Sequence, residues 1–180
     1  FFNMSILKAD KILRPDGETL LDTTGSVLQV ISDTETNFAS STSSSYVQMS
    51  NYYVDITLSH ADNQVIIMGG FYGSTGSGYN RVEYVLYRGS SAIGLPTSQS
   101  NAGRCMGKIL YVENDRRVMY HPFVYMDTPG SVGSHRYAIR MRDGNGDTTF
   151  HLNRWPVQNS SGTNCVSTIT AIEVKAWVKL

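Results

Sequence analysis

Charge and long apolar segments are both scarce in this sequence. Only 17% of its 180 residues are charged, against about 25% in an average soluble domain. Lys and Arg together number 15, and so do Asp and Glu, so the formal net charge is zero. A neutral chain gives no electrostatic reason to expect nucleic acid or an anionic membrane as a partner. No apolar stretch approaches the roughly 18 residues of a membrane span, so we expect a soluble protein without membrane insertion.

Cysteine and histidine are too few, and too widely spaced, to indicate a metal or redox site. Cys105 and Cys165 lie sixty positions apart with no C-x-x-C motif. We expect two buried thiols, and whether they pair is left open. The four histidines never occur at a metal-ligand spacing; they are His60, His121, His135 and His151. We therefore expect no metal and no cofactor.

One acidic segment begins like a calcium-binding loop. The segment 143–147 has the spacing D-x-N-x-D, which could direct alternate oxygens at a hard cation. The rest of the loop is missing, because Thr148 replaces the Gly of position six and Arg154 replaces the bidentate Glu of position twelve. We interpret the segment as a tight hairpin turn.

No catalytic constellation is recognisable. No serine has a glycine two residues before and two residues after it, so the G-x-S-x-G elbow is absent. A glycosidase or lyase would need two carboxylates in one cleft. The acidic residues are expected in turns or on outward strand faces; they include Asp16, Asp62, Asp143, Asp147, Asp55 and Glu173. We expect a protein that is not an enzyme and has no catalytic residues.

Alternation with a period of two residues recurs along the chain and predicts strands with one buried face. From 134 to 142 the even-numbered residues should face outward and the odd-numbered ones inward. From 166 to 180 we expect one long final strand with Glu173 and Lys175 on its outward face. The run 65–68 is apolar on both faces, as in a central strand that is covered on each side.

About nine short strands follow from these patterns, and no helical spacing separates them. Further candidates are 26–32, 52–59, 79–88, 105–113, 117–126 and 148–152. The glycine-rich segment 69–79 and the serine-rich segment 40–45 are interpreted as loops. Short strands without helical crossovers favour antiparallel pairing. The predicted fold class is therefore all-β, an antiparallel β-sandwich or jelly roll.

The first 25 residues have a different texture. A strong turn signal, Pro15-Asp16-Gly17, interrupts them, and the segment is too short to close a core. We expect residues 1–25 to form an extended N-terminal arm that contacts a neighbouring subunit, and residues 26–180 to form the sandwich domain.

Several residues are candidates for receptor or subunit contacts. Tyr72, Tyr79 and Trp155 lie near predicted strand ends and could form an aromatic platform for carbohydrate, although packing over the core edge is the commoner fate of such residues. Arginines on one strand face could hold an acidic ligand or pair with carboxylates of another subunit, or could simply be solvated; they are Arg136, Arg140 and Arg142. Trp177, on an otherwise polar face of the last strand, is a further possible subunit contact.

Six segments, in this order, resemble a family of small virion proteins from tailed bacteriophages. They are Gly25–Val30, Tyr53–Ser59, Val65–Met68, Leu86–Gly94, Met126–Gly130 and Ile169–Val174. The opening Lys8–Ile12 is similar to the short leader of such proteins, and the resemblance covers about residues 8–175. The family, common in phages of cyanobacteria and other aquatic bacteria, is usually described as tail fibre or virion structural protein. The chain departs from it in the aromatic segment Val118–Tyr125 and in the extension Lys175–Leu180.

The resemblance implies a trimeric β-sandwich knob on the exterior of a virion, made in the host cytoplasm and carried by an arm that docks on other virion proteins. It implies no catalytic residues. The leading hypothesis is a non-enzymatic tail fibre or spike tip that contacts the host surface, with a host surface glycan as a possible ligand. The alternative is a capsid decoration protein, acting as cement or head fibre, with the same fold. A carbohydrate-active enzyme or a free lectin domain is a remote alternative.

Overall fold

The computed structural model describes residues 11–13, 15, 19–22, 25–76, 81–95, 106–110, 118–144, 148–154 and 165–176. All regular secondary structure in these ranges is β-strand, which confirms the all-β prediction. Among these residues no helix could span a membrane. The strands, in chain order, are β1 (Lys11–Leu13), β2 (Thr19–Asp22), β3 (Val27–Glu35), β4 (Ala39–Ser41), β5 (Val47–Leu58), β6 (Gln64–Thr75), β7 (Arg81–Arg88), β8 (Ser91–Ile93), β9 (Gly107–Leu110), β10 (Met119–Asp127), β11 (Gly133–Asp143), β12 (Phe150–Leu152) and β13 (Ser167–Val174).

Eleven of these strands form two antiparallel sheets. Sheet I has the order β3-β13-β6-β12-β4, with β10 on the other side of β6. Sheet II has the order β5-β11-β7-β8, with β9 also paired to β7. The pairs are nested around β8, because β3 pairs with β13, β4 with β12, β5 with β11, β6 with β10 and β7 with β9. This nesting is the connectivity of a jelly roll, in which a long hairpin is wrapped into two sheets.

The core lies between the inner faces of the two sheets, as the alternation predicts. On β5 every second residue from Tyr52 to Leu58 is buried, and on β11 Tyr137, Ile139 and Met141 are fully buried. Phe71 of sheet I meets Tyr84 of sheet II edge to face, with ring centroids 5.0 Å apart. Aromatic and β-branched side chains suit this arrangement because they fill the gap of about 10 Å between stacked sheets.

Polar contacts also join the two sheets. The carboxylate Oδ2 of Asp127 on β10 accepts hydrogen bonds from Arg88 on β7 at 2.7 Å and from the Tyr137 hydroxyl on β11 at 2.8 Å. The Tyr52 hydroxyl of sheet II donates to the carbonyl of Thr168 in sheet I at 2.9 Å. Each of these polar atoms is therefore satisfied where it is buried, as a stable core requires.

The predicted loop at 69–79 is wrong for its first part, because β6 continues to Thr75. Gly69 and Gly70 lie inside this strand, where neighbouring atoms leave no room for a side chain. A Cβ on Gly69 would lie 2.2 Å from the carbonyl oxygen of Thr168, and a Cβ on Gly70 would lie 2.2 Å from the Tyr120 ring. Glycine permits this close approach, so here it marks tight packing inside a strand and not the end of the strand.

The prediction for the final strand is also wrong in its length and its faces. The strand ends at Val174, and Lys175 and Ala176 continue without strand structure. The residues expected to point outward are buried, since Glu173 is only 1% exposed and Ser167 is fully buried. Hydrophobicity alone assigned these faces incorrectly, because hydrogen bonds hold the polar residues inside.

Glu173 illustrates how such a group is retained. Its carboxylate accepts hydrogen bonds from the backbone NH and hydroxyl of Ser59 at 3.0 and 2.9 Å, from Asn63 at 2.6 Å and from Gln29 at 2.5 Å. Although burial alone would raise it, these hydrogen bonds hold the pKa of Glu173 below its usual value. The cluster ties β13 and β3 to the connection between β5 and β6.

Other predicted segments lie partly outside the described residues. Within the proposed arm, β1 and β2 pair as a hairpin on either side of Pro15, which is in a turn as expected. The division into arm and domain stays a prediction. Residues 145–147 of the acidic segment are outside the described ranges, whereas Asp143 belongs to β11, is buried and accepts a hydrogen bond from the NH of Thr148 at 2.6 Å.

Two histidines are buried and should make the fold sensitive to acid. Burial lowers the pKa of His121, which stacks on Phe71, and burial together with Arg154 lowers the pKa of His151, which hydrogen-bonds Ser40 at 2.8 Å. A group with a lowered folded pKa stabilises the fold fully above its unfolded pKa, about 6.5 for histidine, and this contribution is lost as the pH falls towards the folded pKa.

We predict that the free energy of unfolding decreases below about pH 6.5, by at most about 1.4 kcal/mol per pH unit for each histidine. Denaturant titrations between neutral pH and pH 5 measure this slope. His121→Phe should make the slope shallower, because it removes one buried imidazole. An unchanged slope in His121→Phe would contradict the prediction.

Candidate interaction surface

The two sheets present outer faces of opposite character. The outer face of sheet I carries no charged residue over three full rows that run from β3 across β13 and β6 to β10. By strand register these rows are Val30, Ile172, Ile66 and Met126; Ser32, Thr170, Met68 and Val124; and Thr34, Thr168, Gly70 and Pro122. We call these twelve residues the uncharged face. Tyr72 and Tyr120 form a further pair on β6 and β10.

Much of the uncharged face is exposed in a single chain. Val124 is 67% exposed, Val30 56%, Met126 55% and Met68 43%. The expectation that the run 65–68 is covered on both faces is therefore wrong for one chain, because Met68 faces solvent. A contiguous apolar patch of this kind is uncommon on a monomer and usually marks an interaction site.

An aromatic pair borders the uncharged face. The rings of Tyr72 and Tyr120 are tilted against each other with centroids 5.0 Å apart. Tyr120 reaches over Gly70, and a shallow groove opens beside it; the groove is lined by Met68, Gly69, Tyr120, Pro122, Phe123, Val124, Thr168 and Thr170. Of the predicted aromatic platform, the structure thus places Tyr72 on this surface. Tyr79 and Trp155, and also Trp177 and Cys105, lie outside the described residues.

The outer face of sheet II carries the predicted arginine stripe, and each arginine has partners within the chain. Arg136 donates two hydrogen bonds to Asp55, at 2.9 and 2.8 Å, and its guanidinium lies 3.8 Å from the centroid of the Tyr53 ring. This contact lowers the pKa of the Asp55 carboxyl. Both members of the pair are half exposed, so we expect it to add little stability.

The other two arginines continue the same pattern. Arg142 donates to the fully buried carboxylate of Glu83 at 2.8 and 2.6 Å and lies over the Tyr46 ring. Arg140 donates to the carbonyl of Gly89 at 2.8 Å and lies over Tyr87, 4.3 Å from its centroid. Stacked on tyrosines and hydrogen-bonded, the stripe forms a charged cover for sheet II.

The buried carboxylates have structural partners. Glu35 accepts hydrogen bonds from the backbone NH groups of Asn37 and Asn51, at 2.7 and 2.8 Å. Glu173 and Asp127 are held as described above. In the part of the chain that the structure describes, no group of three His, Cys, Asp or Glu side chains could hold a metal ion. Cys165 is a free, half-buried thiol whose pKa is raised by burial.

Sequence reasoning missed the apolar residues of the uncharged face. Val30, Val124 and Met126 were absent from the candidate contacts because a single exposed apolar residue is unremarkable. A usable signal does exist: alternate positions of four strands all lack charge. It becomes visible only when the register brings these strands side by side.

Comparisons with known proteins identify no family. No protein-family model matches the chain, and no curated protein matches it. The solved structures with a weak likeness to this chain include two of infectious bursal disease virus. The crystal structure of the infectious bursal disease virus VP2 subviral particle has 14% identity and a TM-score of 0.40, covering 96% of this chain and 42% of that one. The structure of infectious bursal disease virus Gx strain has 10% identity and a TM-score of 0.41, covering 96% and 46%. The chain spans less than half the length of either.

The two arginine–carboxylate pairs predict different losses of folding stability for two similar substitutions. Arg142→Ala should lower the free energy of unfolding by about 3 kcal/mol, because it removes two hydrogen bonds from a buried carboxylate. Arg136→Ala should lower it clearly less, because both members of that pair are half exposed and Asp55 stays hydrated. Urea unfolding of both variants measures the difference in the free energy of unfolding. Equal losses in the two variants would contradict the role that we assign to burial.

Proposed function

We propose that this chain is a non-enzymatic structural protein of a bacteriophage virion, a subunit that assembles with copies of itself. The observation that carries the proposal is the uncharged face, a broad outer sheet surface without charge, on the opposite side of the domain from the arginine stripe of sheet II. The sequence resemblance to phage virion proteins supplies the biological setting. The jelly roll supplies a rigid body on which such a surface is held in place.

The contrast between the two outer faces supports self-association. Sheet II covers its outer face with arginines that are hydrogen-bonded and stacked on tyrosines, whereas the outer face of sheet I offers Val, Ile and Met side chains. An uncharged surface complements another uncharged surface, because a charged partner group would lose its hydration there without gaining a counter-charge. A second copy of the same chain offers such a surface.

The finer form of the proposal is a homotrimeric tail fibre or spike tip. Its N-terminal arm, residues 1–25, would dock on other virion proteins, and its loops would contact a host surface glycan. A capsid decoration protein with the same fold would use the same uncharged face between its copies. The two forms differ in their place on the particle and not in the chemistry of self-association.

The self-association is tested with two valines that are similarly exposed. The wild-type chain should have a solution mass of three copies of its 19.9 kDa. Val124→Lys, at a 67% exposed position on the uncharged face, should shift the mass to that of a monomer, because association would bury a lysine charge. Val132→Lys, at a 62% exposed position between β10 and β11, should leave the mass unchanged.

Light scattering coupled to size exclusion measures these masses, and thermal unfolding confirms that both variants fold. A wild-type chain that stays monomeric would contradict the proposal. An unchanged mass of the Val124→Lys variant would show that the uncharged face is not part of the interface.

The place on the particle is tested by electron microscopy of virions labelled with an antibody against this chain. We expect label at the tail tip. Label over the head would instead establish the decoration form, and its absence from intact particles would contradict a virion role. Release of reducing sugar from host polysaccharide by the purified chain would contradict the non-enzymatic part of the proposal.

A further inference from the structure

We propose that copies of the chain join edge to edge, strand β3 of one copy pairing with strand β10 of the next, so that the three copies of the proposed trimer close a ring around their uncharged faces. The inference rests on the proposed self-association and specifies its geometry. It follows from the two edges of sheet I, which have no second partner among the described strands, and from the directions of these strands.

Strand β3 is an edge that a monomer would be expected to protect. Among the described residues it pairs on one side only, with β13. Eight of its nine residues are partly or fully exposed, and Glu35 alone is buried. It contains no lysine and no proline, the residues by which soluble proteins commonly block pairing at an edge. A long exposed edge of this kind is a template for another strand.

Strand β10 is the opposite edge, and it matches β3 in length and direction. It pairs with β6 alone among the described strands, and it also has nine residues. Because β3, β13, β6 and β10 are successively antiparallel, the two edges run in opposite directions. A rotation about an axis parallel to the strands therefore places β3 of one copy antiparallel to β10 of the next.

Full overlap of the two nine-residue strands gives a favourable register. It places Val30 opposite Val124, and these are the most exposed apolar residues in the middle parts of the two edges. It also places Leu28 opposite Met126, both about half exposed. Asp33 then lies opposite His121, so that no acidic residue faces another. Pro122 removes one NH donor from the β10 edge, and the remaining pairs form the ladder.

The width of the sheet sets the size of the ring. Three copies contribute twelve strands about 4.8 Å apart, and when all neighbours are paired the circumference of about 58 Å places the strands about 9 Å from the axis. Side chains of the uncharged face would line this interior. A ring of four would place the strands about 12 Å from the axis and leave a wider interior.

The experiment is disulfide trapping between the two edges. In a chain carrying Cys105→Ser and Cys165→Ser, the double variant Val30→Cys and Val124→Cys should form covalent dimers and trimers on mild oxidation, because directly opposed residues of antiparallel strands meet disulfide geometry. The matched control combines Val30→Cys with Val132→Cys, which is equally exposed but lies off the sheet, and should remain uncrosslinked.

Each outcome is decisive. A trimeric mass with crosslinked trimers for Val30 with Val124 supports the edge-to-edge ring. A trimeric mass without crosslinks overturns the ring and leaves the proposed self-association in place. Crosslinked dimers of Val30→Cys alone would mean that β3 pairs with β3 of a second copy, which also overturns the ring. A monomeric mass of the unmodified chain overturns both the inference and the proposed function.

Discussion

The structure depends on one constraint: every strand has two faces, and the packing of two sheets buries only one face of each. In this chain the inner faces supply a close-packed core that includes Phe71, Tyr84 and Tyr137. The outer faces are not covered by the other sheet, so each must either carry groups that water hydrates or be covered by another surface. The proposed function rests on the way each outer face meets this requirement.

Sheet II covers its outer face with polar and charged groups of the same chain, and sheet I does not. On sheet II, Arg136, Arg140 and Arg142 lie over tyrosine rings and present charge to solvent. On sheet I the corresponding positions are hydroxyl, aliphatic or glycine residues. The formal neutrality of the chain therefore hides an uneven distribution, with charge on one side and an apolar surface on the other. In the proposed assembly, other copies of the chain cover the apolar side and remove it from water.

Much of the fold could be predicted from the sequence, because alternation is a local signal. It located β11 almost to its ends and the buried residues of β5 from Tyr52 to Leu58, although β5 begins five residues earlier, at Val47. It failed where a non-local contact overrides local preference. Gly69 and Gly70 signal a loop, but Thr168 and Tyr120 approach so closely that only glycine fits within the strand. Glu173 signals an outward face, but Ser59, Asn63 and Gln29 bind it inside. The candidate surface was missed for the same reason, since it exists only after the register aligns four strands.

The central claim is that an apolar sheet face, and not the charged one, joins the subunits. Sedimentation velocity at low and high salt, about 0.05 M and about 1 M NaCl, tests it directly, because salt screens ion pairs and leaves apolar contacts intact or strengthened. The account predicts a trimer of equal or greater stability at high salt. Dissociation as the salt is raised, or a monomer at both concentrations, would contradict it.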